Sequence, residues 1–432
     1  MVTTLLLVAL AFTFGMTVDH SDLFAPLSFP LLYLAFTLLG PWIYLRISGN
    51  AIQSLQPSTT ESAATIVMML TVNAWMCGSV FVKALAPTIP LVATDADDHL
   101  DLELSRRLRA WARLLLIGSL AIRLYLAYDA MGRTYGENQL AYTFAAAITP
   151  LADGSLIIAA CLYMAAALCG DRRLLRGGDA AGLLCAYTVS LLALGSRGEL
   201  LAPTLILVYA FFKLGQLRTT GILFVGVLAM PILALTANLR SGTGGAPLVE
   251  TALAAVSSPF MITEWLMDYV PDASGFEHGS TYVGSLKMLA PGVVSRALFP
   301  GEPETATFRF REIVGYTNPN QGYSFSLPSE AYLNWGMVGV VGVAFLVGAL
   351  YAHLFRSQHR DTLRANGYLY VILMSILPYA IRSDALTQLK LFIYPAVMLL
   401  VVFALERSAA AAARAWRGVI VTRTTPARGS SR

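Results

Sequence analysis

The chain has 432 residues, of which 56% are apolar and only 13% charged. Soluble proteins carry about a quarter charged residues, so a fully water-exposed surface is excluded and much of this chain must face lipid. The net charge of +4 is small and gives no basic surface for nucleic acid. Cys77, Cys161, Cys169 and Cys185 all fall in apolar stretches without metal-ligand spacing, which argues against a disulfide framework or a cysteine-ligated zinc.

A helix needs about 20 apolar residues to cross a bilayer, and in lipid every backbone polar group must be paired internally. Taken in chain order, about eleven segments qualify: 1–18, 27–47, 63–86, 110–131, 150–169, 180–196, 199–215, 220–238, 330–355, 367–381 and 385–405. The first lacks a basic flank and a small-residue cleavage site, so it is expected to be a retained helix. The alternating pattern of a β-barrel is missing. The expected fold is therefore all-α and polytopic, with ten to twelve spans. Five parts are expected: N-terminal spans over 1–180, central spans over 181–238, a large loop over 239–329, C-terminal spans over 330–406 and a basic tail over 407–432.

Short cytoplasmic loops carry an excess of Lys and Arg. Arg172, Arg173 and Arg176, then Lys213 and Arg218, then Arg356, Arg360 and Arg364, and finally the tail from Arg407 to Arg432 alternate correctly with the spans. All four regions read as cytoplasmic. The 196–199 turn, the 239–329 loop and the 382–384 turn then share the opposite, external face. The first half gives two opposed signals. Arg106, Arg107, Arg109 and Arg113 make the fourth span start in the cytoplasm, whereas Asp19, His20 and Asp22 read as an external loop. The large loop is broken by Pro259, Pro271, Pro291, Pro300, Pro303, Pro319 and Pro328, and its apolar patches suit short interfacial helices.

Charged groups at span ends are costly and mark function. Arg197 lies in Gly195-Ser196-Arg197-Gly198, Arg240 ends the eighth span, and Arg382 sits between the last two spans. Converging on one face, they would form an anion site, because guanidinium groups pair bidentately with phosphate oxygens. Lipid-headgroup anchoring is the simpler alternative for any one of them. Arg123, inside the fourth span, is expected to pair internally or line a wall. Glu330 opens the ninth span and reads either as a salt-bridge partner or as a base or sugar-hydroxyl acceptor. His278 is the sole histidine of the large loop, and histidine is the residue type most often used for proton transfer. Neither a nucleotide-binding motif nor a metal motif is present, so no cofactor and no metal are expected.

Several of these motifs occur together in a known order. Gly195-Ser196-Arg197-Gly198 is followed by Arg240, then His278-Gly279-Ser280-Thr281-Tyr282, then Ala290-Pro291-Gly292-Val293-Val294-Ser295-Arg296. Leu298-Phe299-Pro300-Gly301-Glu302-Pro303 comes next, then Ser329-Glu330-Ala331-Tyr332-Leu333-Asn334-Trp335-Gly336-Met337-Val338-Gly339, and last Arg382-Ser383-Asp384. Over 190–400 the chain resembles the Wzy-type polymerases of bacterial O-antigen and exopolysaccharide. It departs from them in the residues before Arg296, where the family often places proline.

The resemblance implies a metal-independent glycosyltransferase in the bacterial inner membrane with its active site facing the periplasm. Its substrate would be an undecaprenyl-pyrophosphate-linked oligosaccharide among membrane lipids, and the family usually works beside a chain-length regulator. On this reading Arg197, Arg240 and Arg382 bind pyrophosphate, Glu330 or His278 serves as base, and Arg296, Tyr282 and Tyr332 join the substrate site. An O-antigen ligase, a flippase for the lipid-linked sugar and a non-catalytic scaffold are the alternatives. A flippase would show internal repeats and charge at the midplane, and neither is evident.

Overall fold

The computed structural model describes residues 22–28, 61–85, 102–129, 144–170, 172–193, 198–222, 259–260, 262–272, 274–290, 292–300, 304–314, 325–360, 365–380 and 383–424. Among them the secondary structure is helical, without strands. In chain order the principal helices are α1 (Glu61–Leu85), α2 (Leu102–Asp129), α3 (Phe144–Cys169), α4 (Gly177–Thr188) and α5 (Gly198–Lys213). They continue with α6 (Ser280–Lys287), α7 (Gly292–Leu298), α8 (Ala306–Val314), α9 (Leu327–Arg360), α10 (Ala365–Ala380) and α11 (Ala385–Thr424). Five stretches are long and apolar enough to cross a membrane: Thr65–Leu85, Leu102–Asp129, Ile148–Cys169, Leu327–Ser357 and Ala385–Glu406. Leu200–Lys213 and Gly367–Tyr379 are apolar but shorter. The expected span 1–18, and most of 27–47 and of 220–238, lie outside the described residues, so a count of eleven is not reached.

Two close helix pairs organise the bundle. α1 and α9 run parallel, because Trp75 meets Gly348, Gly78 meets Phe345 and Arg356 donates to the Val82 carbonyl at 2.9 Å. Small residues allow the backbones to approach, as is usual where lipid supplies no hydrophobic drive between helices. A Cβ on Gly78 would sit 2.1 Å from the Phe345 carbonyl oxygen, a backbone atom that cannot step aside. Gly78→Ala is therefore expected to lower stability by about 1–3 kcal/mol, the usual cost of overpacking. A thermal melt of the detergent-solubilised protein checks this. α2 and α3 are antiparallel: Ser105 donates to the Ala166 carbonyl at 2.7 Å and Ser119 to the Ala152 carbonyl at 2.8 Å.

Polar contacts sort the helix ends onto two faces. On the first, Arg107 pairs with Glu406 at 2.9 Å, Arg113 with Asp179 at 2.6 Å, and Arg109 donates to the Leu174 carbonyl at 3.2 Å. Lys213 pairs there with Asp22 at 3.1 Å. The expected external placement of Asp22 is thereby corrected. Asp22 belongs to the same face as Lys213 and the arginine-rich start of α2, and is not on the face of the large loop. The 22–28 segment is drawn into the core, where Tyr351 and Tyr370 both donate to the Phe24 carbonyl and Trp75 donates to that of Pro26 at 3.2 Å.

The opposite face carries the starts of α9 and α11 and the helices of the large loop. Ile262, Leu266 and Val270 from the helical stretch 262–269 and its end pack with Phe310 of α8 and Phe325. Leu333 and Val340 of α9 and Val67 of α1 complete this second apolar core. The loop is thus a packed cap on the ends of α1 and α9 as well as a set of short helices. α6 and α7 also leave Val283, Leu286, Val294 and Leu298 exposed.

Three departures from the expected elements matter for the site. α9 begins at Leu327 and breaks at Trp335 (φ −143°, ψ 18°) and Gly336 (φ 61°, ψ −149°). The stretch 337–357 after the break is long enough to cross alone, since about 20 residues suffice. α4 runs into a π-helical turn, Val189–Ala193, which ends four residues before Arg197 in the sequence. Finally, α2 starts eight residues earlier than the apolar pattern suggests, its first turns being held by the ion pairs of the basic face.

Candidate active site at the head of α9

The site is built around the short helical piece before the break in α9. Ser326 starts it as an N-cap, accepting from the Ser329 N–H at 3.2 Å, and Ser329 meets Thr263 Oγ1 at 2.7 Å. One turn on, Glu330 is buried at 1% exposure. Thr281 Oγ1 donates to its Oε1 at 2.9 Å, and the backbone N–H of Ala385 donates to its Oε2 at 2.6 Å. A buried carboxylate needs such partners. The Ala385 N–H is one of the donors that every helix start leaves without an internal acceptor, so Glu330 completes the N-terminus of α11 from a different helix.

Asn334 closes the network. Its Nδ2 donates to Thr281 Oγ1 at 2.7 Å and to the Glu330 carbonyl at 2.8 Å, while its Oδ1 accepts from the Gly279 N–H at 2.8 Å. The chain from Glu277 to Gly279 is laced along the same helix piece, with Glu277 N–H donating to the Leu333 carbonyl at 3.0 Å and His278 N–H to that of Asn334 at 2.9 Å. His278 holds φ at 48° and Gly279 at 95°. The left-handed conformation suits glycine and is uncommon elsewhere. At Gly279 the backbone is also pressed against Trp335, since a Cβ would lie 2.9 Å from an indole carbon.

Asp384 is the second buried carboxylate. It caps α11 by accepting from Thr387 N–H at 3.2 Å and Thr387 Oγ1 at 2.9 Å, and its other oxygen accepts from Thr307 of the loop at 2.9 Å. On the near side, the Ser383 N–H returns to the Tyr379 carbonyl at 2.7 Å. Tyr379 on one side of Arg382 in the chain, and Ser383 and Asp384 on the other, are therefore anchored.

The candidate residues divide as follows. Glu330, His278 and Tyr282 are brought together by this network. Tyr282 stacks on Trp335 with centroids 5.3 Å apart and rings 14° from parallel. Its hydroxyl is buried and has no hydrogen-bond partner among the described residues. Burial, with the Glu330 carboxylate beside it, holds this phenol far above its usual range, so it remains a protonated donor. The His278 side chain is exposed. Tyr332 faces away into the second core, edge-on to Phe276 at 6.0 Å. Arg296 falls on α7, its side chain outside the described set. Arg197, Arg240 and Arg382 lie outside the described residues.

Thr281, Asn334, Trp335 and Asp384 carry the site as much as the candidates do, and none was selected from sequence. All four stand in the motif runs that carry the Wzy resemblance, which gave them no role of their own.

A family model described as O-antigen polysaccharide polymerase Wzy matches residues 1–410, nearly the whole chain and twice the stretch that carries the resemblance in its motifs. The chain belongs to the Wzy family of O-antigen polysaccharide polymerases. Neither a curated protein nor a solved structure gives a match. Wzy-type polymerases act on lipid-linked oligosaccharide repeat units in membranes. Membership and the apolar helices together make this chain a multi-pass membrane protein of polysaccharide biosynthesis.

Proposed function

We propose that this Wzy-family chain is a metal-independent glycosyltransferase that joins undecaprenyl-pyrophosphate-linked repeat units at the periplasmic face of the inner membrane. The observation that carries this reading is the Glu330–Thr281–Asn334 network. It ties the His278 loop, the head of α9 and the first residue of α11 into one frame on the face away from the arginine-rich helix ends.

In the reaction the acceptor hydroxyl oxygen attacks the anomeric carbon of the donor sugar. The new glycosidic C–O bond forms as the bond to the phosphate oxygen breaks, and the lipid pyrophosphate leaves with that electron pair. Arg197, Arg240 and Arg382 stabilise the charge that develops on it, more in the transition state than in the ground state. The acceptor proton passes to a base. Both oxygens of Glu330 are already engaged, whereas the His278 imidazole is exposed. His278 is therefore the proton acceptor, and Glu330 positions the Arg382 turn through Ala385.

Purified protein given lipid-pyrophosphate-linked repeat units is expected to form products longer than one repeat in the presence of a chelator. Arg197→Ala and Arg240→Ala should each slow extension about a hundredfold, the usual loss for one transition-state donor. Wild-type rates in both variants would remove the anion site from the mechanism. The family match favours a polymerase over the ligase reading. A cell lacking the protein should accordingly retain single repeat units on its surface glycolipid, whereas loss of a ligase would leave polymer unattached.

A further inference from the structure

Trp335 is half-open in a place where its neighbours are not. Leu333 and Asn334 are fully buried, yet the indole is 41% exposed. It is also held in place on several sides. Tyr282 covers one face, the Gly279 backbone presses on its rim, and its own Cβ lies against Gly339, where a Cβ would be 3.0 Å away. The break at Trp335 and Gly336 lifts the ring out of the helix at the point where the crossing stretch begins.

The loop bonded along the same helix piece is polar. His278, exposed, is bonded through its backbone N–H to the Asn334 carbonyl, the residue before Trp335. Glu277 accepts from Arg309 Nε at 2.5 Å and from Ser280 Oγ at 2.8 Å, with the Arg309 side chain 40% exposed. A fixed aromatic surface, packed against a loop that carries an exposed histidine, matches a pyranose ring, which has an apolar C–H face and a perimeter of hydroxyls. Sites for such ligands combine aromatic surface with a few placed polar groups. Tryptophan is also enriched at membrane interfaces as an anchor, but an anchoring ring needs neither a stacked partner nor a loop backbone packed to its edge.

We infer that Trp335, beside the loop that carries His278, forms a sugar-stacking subsite that seats the acceptor pyranose of the repeat unit. This inference rests on the transfer reaction proposed above.

The test uses the full chain in lipid nanodiscs. Extension kinetics are measured with lipid-linked repeat units, and binding is measured separately with the free oligosaccharide released from them by mild acid. Trp335→Leu is expected to raise KM and the oligosaccharide Kd about tenfold while kcat stays within about twofold, and Trp335→Phe to retain most affinity. Unchanged KM and Kd in Trp335→Leu would overturn the subsite in favour of a membrane anchor. Should the leucine variant fail to fold, 5-fluorotryptophan in the wild-type chain decides. The fluorine resonance that disappears in Trp335→Phe must shift when oligosaccharide is added, and a fixed resonance overturns the inference. Oligosaccharide binding that depends on Trp335 in a chain that performs no extension would sink the transfer reaction and leave the subsite standing.

Discussion

Glu330→Ala is expected to destabilise the protein by about 3–5 kcal/mol and to abolish chain extension in the same variant. Glu330 accepts from Thr281 and from Ala385 N–H, and a buried donor left unsatisfied costs about 1–3 kcal/mol. Alanine strands both donors in a buried site and leaves the first N–H of α11 without an acceptor. Glu330→Gln should cost less. An amide oxygen can still serve one donor, but its NH₂ cannot accept from the other. Thr281→Ala and Asn334→Ala act on the same network, so their effects should combine with that of Glu330→Ala less than additively. Thermal melting in nanodiscs and gel analysis of polymer length give the two readouts. An alanine variant that melts with the wild type yet extends nothing would make Glu330 a chemical participant, and the positioning role would be lost.

How far the sequence led is clearest at this same residue. The cost of a carboxylate at a helix mouth singled out Glu330 as a group that needs partners, and apolar length found the five long crossing helices, because both depend on chemistry local to the chain. Its partners did not show. Thr281 and Ala385 lie 49 and 55 residues away, and threonine and alanine carry no composition signal. The two-face arrangement was legible from α4 onward, where basic loops alternate with spans. Before α4 it was not, because Asp22 looks external until its partner Lys213, 191 residues away, is known. The break in α9 was hidden by an unbroken apolar pattern across Trp335 and Gly336, since hydropathy is blind to a positive φ. Arg123 was expected to pair within the membrane, but its partner Asp153 passed unnoticed inside a span that still averages as apolar.

Breaking the Arg123–Asp153 pair is the second large effect, expected at about 3–5 kcal/mol for either Arg123→Gln or Asp153→Asn. Arg123 is 1% exposed, and its guanidinium meets Asp153 Oδ1 at 2.6 Å, Ser190 Oγ at 2.5 Å and Ser119 Oγ at 3.3 Å. Removing one partner leaves the other as an uncompensated buried charge, which is the costly case; replacing both by apolar groups is often neutral or better. Arg123→Met with Asp153→Leu should therefore recover most of the stability that either single variant loses, as read by melting temperature and folded yield. Activity need not return with it. Ser190 sits in the π-helical turn, an opened geometry that often marks functional sites, and the chain runs from that turn into Gly195-Ser196-Arg197. Arg123 lies six residues before the end of α2 at Asp129, about 9 Å at 1.5 Å per residue, in the half of the bundle nearer Glu330. If the guanidinium holds that turn, the double variant melts near the wild type while extension stays impaired, chiefly in kcat. Full recovery of both would reduce the pair to packing and leave Arg197 to be placed by its own turn.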